Sequence, residues 1–144
     1  MNERFLFRGK REDNGEWVEG FLSKSRGENK QLELCIDHEE KGVMCSSIVI
    51  PETVGQCTGL KDKNGKLIFN GDILESRASE NKEDWKKWVV TFSDGSFCFE
   101  REIPRKRKHE YEENLLCVDE IELYGLTVIG NIHDNPELLQ RSDE

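Results

Sequence analysis

Three turn-forming pairs, Asn14-Gly15, Asn64-Gly65 and Asp94-Gly95, stand between short runs in which apolar and polar residues alternate. This punctuation constrains the fold more than any composition figure. Asn, Asp and Gly tolerate positive φ, so each pair favours reversal of an extended segment into a tight hairpin. The runs between them have strand length and a period of two. Gln31 to Asp37 puts Leu32, Leu34 and Ile36 on one face and Glu33 and Cys35 on the other, which predicts a half-buried strand. Val43 to Ile50 reads as extended up to Pro51, and Thr53 to Thr58 resumes it. Gly71-Asp72 turns the chain into a strand from Ile73 to Ser76. Farther on, Trp88, Val90 and Phe92 alternate with Val89 and Thr91, while Phe97 and Phe99 continue beyond the third turn with Cys98 facing the other way. Thr127 to Ile132 is a late strand.

The segments between these runs are polar. Residues 77–84 and the almost wholly charged stretch from Arg101 to Asn114, with Pro104 inside it, predict loops. Leu115 to Val118 and Ile121 to Tyr124 suit either a strand or a short helix. Asn135 is expected to cap a short C-terminal helix that has Pro136 at its first position and Leu138 and Leu139 as anchors.

Many short strands, three hairpin signals and one terminal helical turn predict a mainly β protein. The expected organisation is a short-stranded β lobe over residues 1–60, followed by an SH3-like small barrel over 61–144 that closes between Gly71 and Ile132. A chain of 144 residues accommodates one domain or two small lobes without metal or disulfide staples.

The net charge of -9 opposes general adhesion to nucleic acid or anionic lipid. Cys35, Cys45, Cys57, Cys98 and Cys117 are odd in number and lack the short paired spacing of zinc or redox dithiols, so reduced thiols in a cytoplasmic protein are expected. Charged residues interrupt Phe5, Leu6 and Phe7, and no segment has the length and apolarity of a signal peptide or a membrane span.

Three strings carry a family likeness: FRGKREDNGEWVEG from Phe7, IPETVGQCTGLKDKNGKLIFNGDIL from Ile50, and VIGNIHDNPELL from Val128. In this order they resemble the YopX family of phage and prophage proteins. The residues that carry the likeness are Pro51, Glu52, Gly55, Gln56, Gly59, Asn64, Gly65, Gly71, Asp72, Gly130 and Asn131. Cys57 and His133 depart from it, standing where the family commonly has an aromatic residue. The resemblance implies a phage or prophage setting and supplies no catalytic residues to carry over.

The motif has two readings. Its glycines suit tight turns that any small β fold needs, whereas Glu52, Gln56, Thr58 and Asp72 would compose a polar site. No nucleophile-base pair stands inside it. His38, His109 and His133 are too far apart in sequence to form a ligand-spaced pair, and His38 and His133 lie beside predicted turns where such residues meet water. Asp62-Lys63-Asn64-Gly65 begins like a calcium loop, but the position of the required acidic ligand is Ile73. Cys35, Cys45 and Cys98 fall in strand patterns that suit packing rather than catalysis. Neither a catalytic residue nor a cofactor is expected.

For nucleic acid the one foothold is Arg105, Lys106, Arg107 and Lys108 with Tyr111 near enough to stack. From Glu100 to Glu113, however, five basic residues face five acidic ones, so the segment is locally neutral. Trp85, Lys86, Lys87 and Trp88 form a second basic-aromatic patch in which only Trp85 is left free by the core. The leading partner is a second copy of the chain, because exposed sheet edges invite pairing. Gln31 to Asp37 and Trp88 to Phe99 are the expected contact surfaces.

Overall fold

The structure is a computed structural model and describes residues 3–77, 80–82, 85–101, 115–116 and 125–139. These residues are mainly β, arranged as two antiparallel sheets. The strands are β1 (Phe7–Lys10), β2 (Trp17–Arg26), β3 (Leu32–Glu40), β4 (Val43–Ile48), β5 (Gly55–Lys61), β6 (Leu67–Phe69), β7 (Asp72–Ser76), β8 (Lys86–Ser93), β9 (Ser96–Arg101), β10 (Leu115–Leu116) and β11 (Leu126–Asn131). One sheet has the order β4-β3-β2-β1-β5-β6 and the other β10-β9-β8-β7-β11. The chain divides into two compact units, Met1–Gly59 and Leu60–Glu144.

Turn chemistry explains the strand pairings. Asp94 and Gly95 both have positive φ, 52° and 81°, and close the two-residue β8–β9 hairpin with Ser93 opposite Ser96. Lys41 and Gly42, at 50° and 80°, do the same between Glu40 and Val43. Asn14-Gly15 behaves differently from expectation. Only Gly15 has positive φ, and the turn is wider, closed where the Arg11 N–H donates to the Glu16 carbonyl at 2.8 Å. The Asn14 side chain instead accepts the Glu16 N–H at 2.9 Å, an Asx turn that needs no left-handed backbone at Asn14.

In the first unit Cys35 and Ile36 are both buried, although they point to opposite faces of β3. The simple alternation expected of Gln31 to Asp37 therefore fails at its centre. Arg11 bridges to Val49 just beyond β4, which draws the end of β4 toward β1 and curls the four strands. Gly20 records the tightness of this curl: a Cβ there would lie 2.0 Å from the Asp37 carbonyl oxygen. Leu32, at the open start of β3, is 60% exposed.

The second unit is built around Ile68, Leu74, Trp88, Val90, Phe99 and Leu126, with Leu60, Phe97 and Val128 packed against them. Phe92 was expected to share this face but is 53% exposed, its ring edge-on to Phe97 at 5.1 Å. The position is next to the hairpin turn, where β8 has run past the buried layer. The described strands do not close an SH3-like barrel. Among the described residues β10 and β11 are the two edges of an open sheet. In place of the expected C-terminal helix, Pro136–Leu139 make a single 3-10 turn. Asn135 stands at the expected cap position, its carbonyl accepting the Leu138 N–H at 3.1 Å, while its Oδ1 turns back to accept the Asn131 N–H at 3.3 Å.

Candidate functional site

The residues of the long middle string mostly face their own backbone. Asp62 is buried at the base of the β5–β6 turn, and its Oδ1 accepts the N–H groups of Asn64 and Lys66 at 2.8 and 2.9 Å. Its Oδ2 accepts the N–H of Val128 in β11 at 3.0 Å, while the Lys63 N–H donates to the Leu126 carbonyl. A single carboxylate thus ties a local turn to a strand that arrives much later in the chain. Asn64 and Gly65 are exposed on that turn. Asp72 is 1% exposed and accepts the Phe69 N–H at 2.7 Å. Gly71 between them has φ 93°, donates its N–H to Val90 and accepts from Ile132, so it joins three strands at a backbone geometry that suits glycine.

The remaining string residues are similarly engaged. Pro51 opens a 3-10 turn and is exposed, as is Glu52. Next to them Thr53 is buried, where its hydroxyl accepts the Lys10 N–H and donates to the Ile50 carbonyl. Gly55 lies opposite Arg8, and Gln56, opposite Phe7, donates from Nε2 to the Arg4 carbonyl at 2.7 Å. Thr58 is buried and Gly59 has φ 81°. Gly130 lies so near Asn135 that a Cβ would come within 2.5 Å of its Oδ1, and Asn131 Oδ1 accepts the N–H groups of His133 and Asp134.

A denser polar array lies on the β3–β4 hairpin. Asp37 accepts hydrogen bonds from the Ser23 and Ser46 hydroxyls, one from each flanking strand. His38, 8% exposed, has Nε2 2.7 Å from the Ser47 hydroxyl and Nδ1 3.9 Å from Glu40. Arg11 reaches Glu40 at 3.4 Å and holds Asp13 through two bonds of 3.1 and 2.9 Å. The hydrogen bond with Asp13 raises the Arg11 guanidinium above its ordinary value and lowers the Asp13 carboxyl below its own. Beside them is a half-open hollow of about 360 Å³, lined by Arg11, Glu12, Asp13, Ser46, Ser47 and Ile48. The sequence Ser47, His38, Glu40 has the order of a nucleophile, base and acid. At 3.9 Å, however, Glu40 does not hold the imidazole by a hydrogen bond as a catalytic acid would. The array fixes the hairpin.

The sequence profile of the YopX protein family matches residues 6–140. The chain belongs to the YopX family. Its fold is similar to that of the protein EF1440 from Enterococcus faecalis, with 25% identity, a TM-score of 0.55, and coverage of 93% of this chain and 96% of that one. It is likewise similar to the protein yopX from Bacillus subtilis at 22% identity and a TM-score of 0.56, with 98% of each chain covered. No curated protein matches the chain.

Within this YopX-family chain, the motif residues form turns and strand joints, as described above. Of the conceived polar group, Glu52, Gln56 and Thr58 belong to the first unit and Asp72 to the second. Arg105, Lys106, Arg107, Lys108 and Tyr111 lie outside the described residues, as do His109 and Cys117. Trp85 lies outside the buried core while Trp88 is in it, and Arg77 and Lys82 stand 4.9 and 5.8 Å from the centre of the Trp85 ring. His38 is not a solvated turn residue either, because β3 extends to Glu40 and carries His38 inside. Cys35 and Cys57 are buried and Cys45 and Cys98 partly so, all four free thiols. Burial raises the Cys35 thiol above its ordinary value, with Asp37 and Glu33 adding to the effect. Among the described residues no three His, Cys, Asp or Glu side chains gather into a metal-binding group, and no helix is long and apolar enough to cross a membrane. Sequence reasoning did not find the Ser23–Asp37–Ser46 and His38–Ser47 contacts. Its available signal was the two-residue Lys41-Gly42 turn, which brings these residues side by side.

Proposed function

We propose that this is a non-enzymatic, cytoplasmic protein of phage or prophage origin that acts through protein association, foremost with copies of itself. The observation that carries the reading is the edge of the first sheet, where β4 presents Val43 and Met44 at 62% and 63% exposure. Large apolar side chains on an edge strand are characteristic of surfaces that pair with another chain, and β4 is covered along this edge only at its end, where the Ile48 carbonyl accepts the Glu12 N–H. The acidic groups offer a further argument against catalysis, since Asp37, Asp62 and Asp72 serve as acceptors for hydroxyl or main-chain groups. Light scattering of the purified chain at micromolar concentration tests the reading. The expected mass exceeds the 16.7 kDa of one chain, and a monomeric mass across the concentration range would remove it.

A further inference from the structure

We infer that the associating surface is β4 itself, joined antiparallel to β4 of a second copy about a twofold axis at Cys45. This rests on the association reading and gives it a register. The Val49 N–H donates to the Leu34 carbonyl at 3.1 Å, and Cys45 stands opposite His38 and Val43 opposite Glu40. Main-chain groups alternate in direction along an antiparallel strand. Val43, Cys45 and Ser47 therefore direct theirs to β3, and Met44, Ser46 and Ile48 direct theirs to the outer edge. The Ile48 carbonyl is already occupied there, accepting the Glu12 N–H at 2.9 Å. Met44 and Ser46 remain to receive another strand.

A symmetric antiparallel ladder must pair outward residues with outward residues. Centred on Ser46 it would require the Ile48 carbonyl, and centred on Met44 it would reach into the turn at Gly42, where φ is 80°. Centred on Cys45, Met44 of each copy exchanges both main-chain hydrogen bonds with Ser46 of the other. The chemistry is also self-complementary. No charged residue lies between Gly42 and Pro51, so the net charge of -9 is kept out of the contact. Lys41 stands beside Glu40 at one end of β4, and Glu12 and Asp13 stand beside Arg11 at the other, so both signs are present at each end of the contact.

This register has a covalent readout. The two Cys45 residues face each other at a non-hydrogen-bonded position, where Cα atoms lie about 4.5 Å apart, within the range a disulfide spans. Cys45 is free and partly exposed. With diamide as oxidant, two thiols form one S–S bond while their two protons and two electrons reduce the diamide to its hydrazine form.

The test uses the full chain as wild type and as Cys45→Ser, Ser46→Pro and Ser46→Ala. Wild type should have twice the 16.7 kDa chain mass by light scattering, and after diamide a non-reducing gel should show a covalent dimer whose peptide map joins Cys45 to Cys45. Cys45→Ser should keep the doubled mass and lose that link. Ser46→Pro removes two of the four intermolecular N–H donors and should become monomeric, whereas Ser46→Ala, lacking only the Asp37 contact, should not. A dimer linked through another cysteine, or one that survives Ser46→Pro with a native far-UV spectrum, would overturn the register and leave association standing. If Ser46→Pro does not fold, the position of the wild-type cross-link decides. A wild-type monomer would overturn both.

Discussion

Replacing Asp62 tests whether a carboxylate buried under a turn holds the second unit together. Its three accepted N–H bonds are of the charge-assisted kind, each contributing about 1.5–3 kcal/mol. The three do not add in full. Asn64 and Lys66 are exposed, so water replaces much of what their amides lose, whereas the Val128 amide is bound across to a strand 66 residues away and has less access to solvent. Asp62→Ala should therefore cost about 3 kcal/mol, near 2 from Val128 and the rest from the turn. Asp62→Asn keeps one oxygen for the turn but presents an amide donor to the Val128 donor, and should cost about 1.5–2 kcal/mol. At about 3 °C per kcal/mol for a chain of this size, melting should fall by roughly 9 °C and 5 °C. Thermal and urea melts would check the order, and amide exchange should show Val128 losing protection in both variants. If the Asn variant were as unstable as the Ala variant, or the Ala variant melted with the wild type, the Asp62 tie would be refuted.

Further outcomes follow from the packing. Gly20→Ala sets a methyl group against the Asp37 carbonyl at 2.0 Å and should cost about 3 kcal/mol by forcing β2 from β3; an unmoved urea midpoint would refute the close approach. Gly71→Val imposes a β-branched side chain at φ 93° and should lower the melting midpoint by several degrees, and an unchanged midpoint would show that the joint does not depend on it. In the native state, alkylation followed by peptide mapping should label Cys45 and Cys98 well before Cys35 and Cys57, with equal rates contradicting the burial pattern. Because the folded Cys35 thiol is raised, the unfolded chain loses that proton first as pH climbs. Stability is then fully present below the ordinary thiol range and declines above it, and Cys35→Ala should flatten this alkaline slope in denaturant titrations.

Local turn chemistry was the most legible part of the sequence. Asp94-Gly95 makes the hairpin its residues predict, because both backbones reach positive φ there. Asn14-Gly15 shows the limit: the same residue types also satisfy an Asx turn, and the curl from Arg11 to Val49 selects the wider form. A turn beside His38 was expected, but its confinement to Lys41-Gly42 was not, since lysine is no usual turn signal, and so the burial of His38 on a longer β3 was not foreseen. Period-two patterning placed Trp88, Val90 and Phe99 in the core but could not reveal that β3 is covered on both faces at Cys35 and Ile36. Strand closure was beyond its reach as well, because pairing partners depend on long-range register. In the candidate site, Asp62 was visible as a turn residue. Its bond to Val128 was not, for nothing in a local window links residues so distant.

The three family strings and the proposed interface occupy different parts of the chain, and this separates what each argument can support. Gly71, Asp72, Gly130 and Asn131 join strands or close turns, so a shared scaffold is enough to account for their place in the strings. Met44, Cys45 and Ser46 fall between residues 24 and 47, outside those strings. The shared scaffold therefore explains why β4 ends where it does, through the Thr53 and Lys10 contacts that follow it, but supplies no reason for the uncharged edge before that end. The edge is stiffened from within: Asp37 clasps Ser23 and Ser46 across three strands, and His38 clasps Ser47. A strand held this way loses little further conformational freedom on pairing, which lowers the entropic cost of receiving another. The polar array that has the wrong geometry for catalysis thus has the right placement to preorganise an edge.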